Sequence, residues 1–537
     1  MDCRALDLRQ VPHQPKLFVE YLNHFERVKA FYRHPPTVQA VKSCARKLDY
    51  PGERRAQIVD ILREQNLALR SGEATLANLQ RLEKGAVAVV SGQQVGLFGG
   101  PAYSFYKALT AVQIAEELTR GGIPAVPVFW MATEDHDVEE VRHATFLTAG
   151  KLIRFALSVP QEAGRPVGRI PLGAEVEPLA REAAEILENQ GSDLLAQYLL
   201  ESYRAGETYG SAFGKLFVQI FAQQGLILMD PLDSGLHQIA APLYQHAVAE
   251  RETVNENLLQ RGKDLERAGF TAQVKVTSRS TLLFYLSDGV RQVITAGNGN
   301  FQAGEKSWGK DELAHLTHAK PENFSPNALF RPVVQDYLLP TAAYIAGPAE
   351  ISYFAQSTVV YRHLLGRMPV ILPRSGFTLV EAKANKLLHR YDLKVEDVWT
   401  GSQTLRHKME SKSVPKSLAE NFARDQRQVA KMLTRLGKQI EKLDPTLKRT
   451  VERAHKRIEF HLEKLRRKAG RAQDQKSGLI SAHEQYLESL LYPHKAPQER
   501  ELCLLPFLAS WGAGGLSELQ KLSSGKKIGH HFIVQLP

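Results

Sequence analysis

The 537-residue chain has only three cysteines, Cys3, Cys44 and Cys503. They stand far apart and lack metal-ligand spacing, which argues against a disulfide framework or a zinc site and for a reducing compartment. They read as structural thiols, because a nucleophilic cysteine needs a partnering base. No apolar run approaches the ~20 residues of a membrane span. The start, Met1-Asp2-Cys3-Arg4, lacks the apolar segment of a signal peptide, so a cytoplasmic protein without membrane attachment is expected. The main glycine-rich turn is neither G-x-G-x-x-G nor a P-loop ending in GK[ST]. No aromatic-rich RNA-binding signature accompanies the basic residues.

What is present is ordinary for a globular protein: 43% hydrophobic and 24% charged residues. The length calls for two or three domains. The net charge of +11 is local, since residues 401–476 hold 21 Lys/Arg against 9 Asp/Glu. That stretch is helical in pattern. Its charge reads first as a solvated face, then as a site for anionic ligands such as nucleotide phosphates, and last as a nucleic-acid surface, so no nucleic-acid partner is expected.

The segment on which the chain turns is 85–140. Ala86–Val90 is an apolar, β-branched strand pattern, a glycine-dense loop follows, and a helix pattern runs from Ser104 to about Arg120. This is the start of a βαβ unit. A second strand pattern, Ala125–Trp130, leads into Glu134-Asp135-His136-Asp137. Further buried strands are expected at Gly225–Pro231, Thr341–Ile345 and Met368–Ser375, with more sheet from Ser325 to Asp336. The order predicts an α/β, doubly wound core over 85–400, interrupted by an insertion near 146–224, with short extended runs at Leu152–Leu157 and Arg169–Leu172 before a helical stretch from Val176 to about Gln223, and by a β-rich insertion near 266–320. Residues 1–84 read as a helical segment packed on the core. In 401–490, Met432, Leu436, Ile440 and Leu443, then Leu447, Val451, Ala454, Ile458, Leu462 and Leu465, form a narrow apolar stripe broken by an Asp444-Pro445 helix start. Such a stripe predicts a coiled-coil arm that pairs within the chain or, as the favoured use, in a homodimer. Residues 491–537 are expected to return to the core through a strand at His530–Gln535.

Four constellations can carry chemistry. The first is Gly92, Gln93, Gln94, Gly96, Gly99, Gly100 and Tyr103, with Lys107 just beyond. It reads either as a packing turn or as a site for a nucleotide or carboxylate, using loop amides and a helix N-terminus. The second is Glu134–Asp137. It can be a solvated loop with a helix cap, or it can present His136 as a general acid/base or phosphate donor oriented by Asp135 or Asp137. Magnesium held jointly with phosphates is a third use. The third joins Arg331, a bidentate partner for carboxylate or phosphate, to Gln335, Gly347 and Glu350, the last also a helix cap. The fourth is Arg374 with Ser375. Lys408–Ser413 resembles the KMSKS loop of class I aminoacyl-tRNA synthetases with one residue inserted, and reads as coincidence.

GQQVGLFGGPAY at 92–103, PVFWMATEDHDVEEV at 127–141, LFRPVVQDYLLPTAAYIAGPAEISYFAQ at 329–356 and the helical arm resemble the cysteine-adding enzyme family of bacillithiol biosynthesis. The likeness spans almost the whole chain. It implies a Rossmann-like core akin to HIGH-superfamily nucleotidylyltransferases, with two connecting inserts and a dimerising coiled coil. It also implies an amide-forming ligase that joins cysteine to the amine of glucosaminyl-malate, the last step to bacillithiol. No HIGH tetrapeptide is present; Gly99–Tyr103 stands in its place. A carboxylate is a poor electrophile, so the reaction implies activation by ATP or another nucleotide, with Mg²⁺ as a companion. It further implies phosphate donors among the loop amides, Lys107, Arg331 and Arg374, and a base in His136 or a nearby carboxylate. The alternatives are a nucleotidyltransferase with another acceptor, or a non-enzymatic, nucleotide-sensing coiled-coil dimer.

Overall fold

In the computed structural model the described residues are 2–158, 164–297, 299–414, 416–512 and 514–537. Five strands form the central sheet: β1 (Val87–Gln93), β2 (Ala125–Met131), β3 (Ile227–Met229), β4 (Thr341–Ala346) and β5 (Val370–Pro373). All pair in parallel, in the order β5-β4-β1-β2-β3. Their apolar runs are continuous because both faces are covered. Every residue of β2 and of β4 is buried, as parallel sheets require. The chain winds outward from β1 through β2 to β3, then crosses back to place β4 on the other side of β1. That reversal opens a crevice beyond the carboxyl ends of β1 and β4, where doubly wound sheets bind ligands. Helix α1 (Ala102–Arg120) follows β1, and α2 (Pro348–Leu364) follows β4.

The two insertions differ in kind. The first is helical from Val176 onward, as expected, with helices at Val176–Asn189, Asp193–Ser202 and Tyr209–Ile220, and its extended run at Leu152–Leu157 is part of one hairpin, His143–Thr148 with Lys151–Ala156. The extended run expected at Arg169–Leu172 is a tight turn over Val167–Arg169 with a lone bridge from Pro171 to Thr208. The second insertion is a five-stranded antiparallel sheet that includes Ser280–Ser287 and Val290–Gly297, joined through Asp288-Gly289 with both φ angles positive (51° and 83°), as a type I′ turn needs. Phe324–Pro326 joins this inserted sheet rather than the core, and Arg331–Leu338 is helical where more sheet was expected. Residue 332 explains it: proline suits the first helical turn and is excluded from a central strand.

Residues 1–84 are mainly helical, but the chain opens with a strand, Cys3–Asp7. It pairs with His530–Gln535, which pairs in turn with Gly376–Val380. The two chain ends are thus sewn into one small sheet. The arm is a hairpin of α3 (Lys416–Leu443) and α4 (Lys448–Ser477), with Asp444 capping the turn through Thr446 N–H at 2.8 Å. Its seam is offset from the expected stripe in α3. Leu433 and Gly437 face inward, while Met432, Leu436 and Leu443 are exposed (44%, 42% and 85%). The cause is Gly437, where a Cβ would sit 2.9 Å from Val451 and hold the helices apart. The arm therefore pairs within the chain, and its outer stripe is left for other uses. The KMSKS-like string lies on the helix Ser402–Lys412, where Lys408 pairs with Asp397 and Lys412 with Asp392. Among the described residues no helix is long and apolar enough to cross a membrane.

Candidate active site

A cleft of about 760 Å³ opens at the topological switch point. Its floor is the carboxyl ends of β1 and β4 and the first turns of α1 and α2. One wall is the loop after β2, and the inserted sheet forms the other. Of the expected site residues, Gly92, Gln93, Gln94, Tyr103, Lys107, Glu134, Asp135, His136, Arg331, Gly347, Glu350 and Arg374 line it together. Gly96, Gly99, Gly100, Asp137, Gln335 and Ser375 do not.

The glycine loop turns away from the cleft. Gly99 N–H donates to Gly96 O and to the Tyr203 hydroxyl, and Gly100 N–H donates to Leu97 O, so these amides are engaged within the protein. A Cβ on Gly99 would lie 2.6 Å from the Phe105 ring, and one on Gly96 would lie 2.8 Å from Gly100. The glycines serve close packing, not a phosphate cradle. Gly92 is similar, since its Cβ would meet the Trp130 carbonyl at 2.7 Å. Asp137 caps the short helix Val138–Val141 through Glu140 N–H. Gln335 is buried and accepts from Arg331 while donating to Asp336. Ser375 N–H donates to Thr110 Oγ1 beneath the cleft.

Lys107 is anchored rather than free. Its Nζ donates to Gly92 O and Gln93 Oε1, both at 2.8 Å, and pairs with Glu350. Burial pulls the ammonium pKa down, with Glu350 opposing it, while Glu350 is held below the usual range against burial mainly by Lys107. Glu350 also accepts from Gly347 N–H at 2.7 Å, so it caps α2 as the alternative reading expected. Arg374 makes a buried bidentate pair with Glu499 at 2.8 and 2.6 Å. Glu499 comes from the C-terminal segment, whose packing against α1 carries it into the cleft floor. Arg331 contrasts with both. It donates to Gln335 Oε1 and to the hydroxyls of Tyr344 and Tyr353, all neutral and all at 3.2 Å.

The loop after β2 splits two neighbouring carboxyls. Glu134 is 6% exposed, and its Oε1 has no hydrogen-bond partner among the described residues. The nearest basic group, His237 Nε2, lies 3.7 Å away and is itself driven down to about 4 by burial. Burial lifts Glu134 to about 8. Burial also acts to raise Asp135, but the His136 backbone N–H, the Arg291 guanidinium and Gln94 outweigh it and keep that carboxylate well below its ordinary range. One carboxyl is thus protonated near neutrality and the other ionised, the division that assigns acid/base and electrostatic roles in many sites. The loop is held from below by the first insertion. Val167 N–H donates to Asp135 O at 2.6 Å and Gly168 N–H to Thr133 O at 3.0 Å.

Two charged groups of the cleft lay beyond the sequence reading. Glu140 lines the cleft with its carboxyl raised by burial and by Asp135 and Asp137. Arg291, on the inserted strand Val290–Gly297, reaches across to Asp135 at 3.3 Å. Eight Lys/Arg and five Asp/Glu side chains line the cleft. Lys107, Arg291 and Arg374 have carboxylate partners; Arg251, Lys275, Arg279, Arg331 and Arg500 have none within ion-pair distance among the described residues. The lining is thus prepared for an anionic ligand. Cys503, by contrast, is buried outside the cleft with its thiol pushed up to about 12, and burial also raises the thiols of Cys3 and Cys44, the opposite of what activates a nucleophile.

Residues 1–375 match the family model of the N-terminal Rossmann-like domain of bacillithiol biosynthesis BshC, and residues 377–535 match its C-terminal coiled-coil domain. The chain belongs to the BshC family. Among BshC relatives, one from Koribacter versatilis is 42% identical over 95% of each chain, and one from Solibacter usitatus is 36% identical over 95% of this chain and 96% of the relative. A third, from Salinibacter ruber, is 32% identical over 94% of each. All three carry the name "Putative cysteine ligase BshC". The two BshC domain matches meet beside Ser375, at the strand that ties the core to the C-terminal segment.

Proposed function

We propose that the chain is the cysteine ligase of bacillithiol synthesis, condensing the carboxylate of cysteine with the amine of glucosaminyl-malate in the switch-point cleft. The observation that carries the chemistry is the split between Glu134, at about 8, and ionised Asp135 beside it. Cysteine is activated as an acyl-adenylate or acyl-phosphate, with ATP or another nucleotide as donor and Mg²⁺ arriving on its phosphates. The amine attacks the acyl carbon, the C–N bond forms, and the nucleotide or phosphate leaves with the electron pair of the broken C–O bond. Glu134, with a pKa of about 8, takes the proton released by the amine when it is in its ionised form, a form that grows as pH approaches that value. Arg331 and the unpaired cations of the inserted wall compensate the malate and phosphate charges. The first turn of α2, with Gly347 at its head, adds its positive dipole end. The exposed Met432, Leu436 and Leu443 of the arm suit pairing with a second copy.

The test is bacillithiol itself. Cells lacking the gene should lose it and accumulate glucosaminyl-malate, and purified protein should form it from cysteine, glucosaminyl-malate and a nucleotide. Unchanged bacillithiol in the deletion strain refutes the ligase; pyrophosphate release onto another acceptor would make it a different transferase. Arg331→Gln should raise KM for the anionic substrate about 10–100-fold, the value of one charge-assisted contact of ~1.5–3 kcal/mol.

A further inference from the structure

The Arg291 guanidinium makes four polar contacts and one ring contact. Its Nη1 lies 3.3 Å from Asp135 Oδ1 and 3.2 Å from His136 Nδ1. Nε donates to Ser325 Oγ at 2.9 Å, and Nη2 donates to Pro326 O at 2.8 Å. The flat face lies 3.9 Å from the centre of the Phe284 ring. Its side chain is 8% exposed. All of Phe284, Arg291, Ser325 and Pro326 belong to the inserted sheet, so the insertion holds this guanidinium rigidly against the loop after β2.

An arginine has only hydrogens to offer, so a ring nitrogen in contact with it must accept. We infer that Arg291 is a positioning residue: it keeps the lone pair of His136 on Nδ1 and thereby places the ring hydrogen on Nε2, aimed into the cleft as a hydrogen-bond donor. This rests on the proposed ligase reading for its use. A neutral Nε2–H suits the oxygen of an activated acyl group or its phosphate, where charge grows as the amine attacks. The inference also separates roles that the Glu134–Asp137 cluster left joined. His136 donates, Glu134 exchanges the proton, and Asp135 anchors the guanidinium that orients the ring.

A competing arrangement exists within the same cluster. His136 Nδ1 is 3.4 Å from Asp135 Oδ1, a near approach that would favour Nδ1–H if Arg291 were absent. In the native arrangement that oxygen already receives His136 N–H at 2.7 Å and shares Nη1 of Arg291. Removing the guanidinium should therefore move the hydrogen from Nε2 to Nδ1.

The experiment is nitrogen NMR of the full-length protein labelled at histidine, which distinguishes a hydrogen-bearing ring nitrogen from a bare one. The His136 signal among the 18 histidines is identified by its loss in His136→Gln. Wild type should show Nε2–H, Arg291→Met should show Nδ1–H, and turnover should fall about 10²-fold with KM changed only a few-fold. Arg291→Lys keeps the charge at Asp135 with a single nitrogen, and should give a mixture of tautomers. If Arg291→Met does not fold, Arg291→Lys and Ser325→Ala, which removes only the Nε anchor, carry the same comparison. Nδ1–H in the wild type overturns the inference, as does a tautomer indifferent to all three substitutions. A loss confined to KM with the tautomer unchanged would make Arg291 a substrate-binding group instead. If the wild type forms no bacillithiol but the tautomer still shifts, the ligase reading fails and the positioning role stands.

Discussion

Replacing Glu134 with glutamine should make the protein more stable and less active, with both effects depending on pH in a defined way. The folded carboxyl titrates at about 8 against 4.5 for the free group. A group with a raised folded pKa contributes its full stability below the unfolded value and loses it as pH climbs through the folded one. At ~1.4 kcal/mol per unit, the displacement is on the order of 5 kcal/mol lost between about pH 4.5 and pH 8. Glu134→Gln keeps the shape of the neutral acid and cannot ionise, so it avoids that loss. The difference in Tm between variant and wild type should therefore be small at pH 5 and widen in favour of the variant up to pH 8.5. His237 stays neutral across this window, being held near 4, and does not blur the comparison. Scanning calorimetry at matched ionic strength measures it. Over the same range the variant should form bacillithiol about 10²–10⁴-fold more slowly, the usual contribution of a positioned acid/base group. A Tm difference that is flat with pH would show that Glu134 titrates as an ordinary carboxylate and would remove the basis for its role. Full activity in the variant would do the same from the other side.

Gly168→Ala should misplace the same loop from below, because its Cβ would fall 2.3 Å from Thr133 Cβ and 2.9 Å from Leu232 Cδ1. Overpacking of this kind costs about 1–3 kcal/mol, and an ångström of displacement about 10²-fold in rate, so Tm and turnover should both fall; an unchanged rate would free the loop from this support. Glu499→Gln should destabilise by about 3–5 kcal/mol, because it strands a buried guanidinium, whereas Arg374→Met combined with Glu499→Leu should recover much of the loss. Denaturant melts of the single and double variants check this, and a double-variant loss as large as the sum of the single losses would mean that the pair is not coupled.

Much of the core was legible because a parallel sheet buries both faces of each strand. The runs at Ala86–Val90, Ala125–Trp130 and Thr341–Ile345 stand in the sequence as continuous apolar segments, and the strands found there differ by a few residues at the ends. The same logic failed at Ser325–Asp336, where apolar content was high but Pro332 selects a helix start. Glycine was the more ambiguous signal. Residues 92–100 read first as a ligand cradle and second as a packing turn, because a missing Cβ permits either, and only the tertiary structure places Phe105 beside Gly99. The helical stripe of the arm fixed a period but not a phase, and Gly437 set which side closed.

By itself the sequence determined the family, the strand-loop-helix units and the presence of an acidic cluster at a strand end, since each is written in local pattern. Tertiary structure decided what those groups do. Glu134 and Asp135 are neighbours with the same chemistry, and their opposite charge states arise from burial on one side and from Gln94 and Arg291 on the other. Arg291 lies 156 residues from Asp135, on an inserted strand with no spacing that points to it. Glu499 reaches Arg374 over 125 residues. Contacts of that range leave no periodic trace in a chain, because they depend on how the insertions and the C-terminal segment fold back over the sheet.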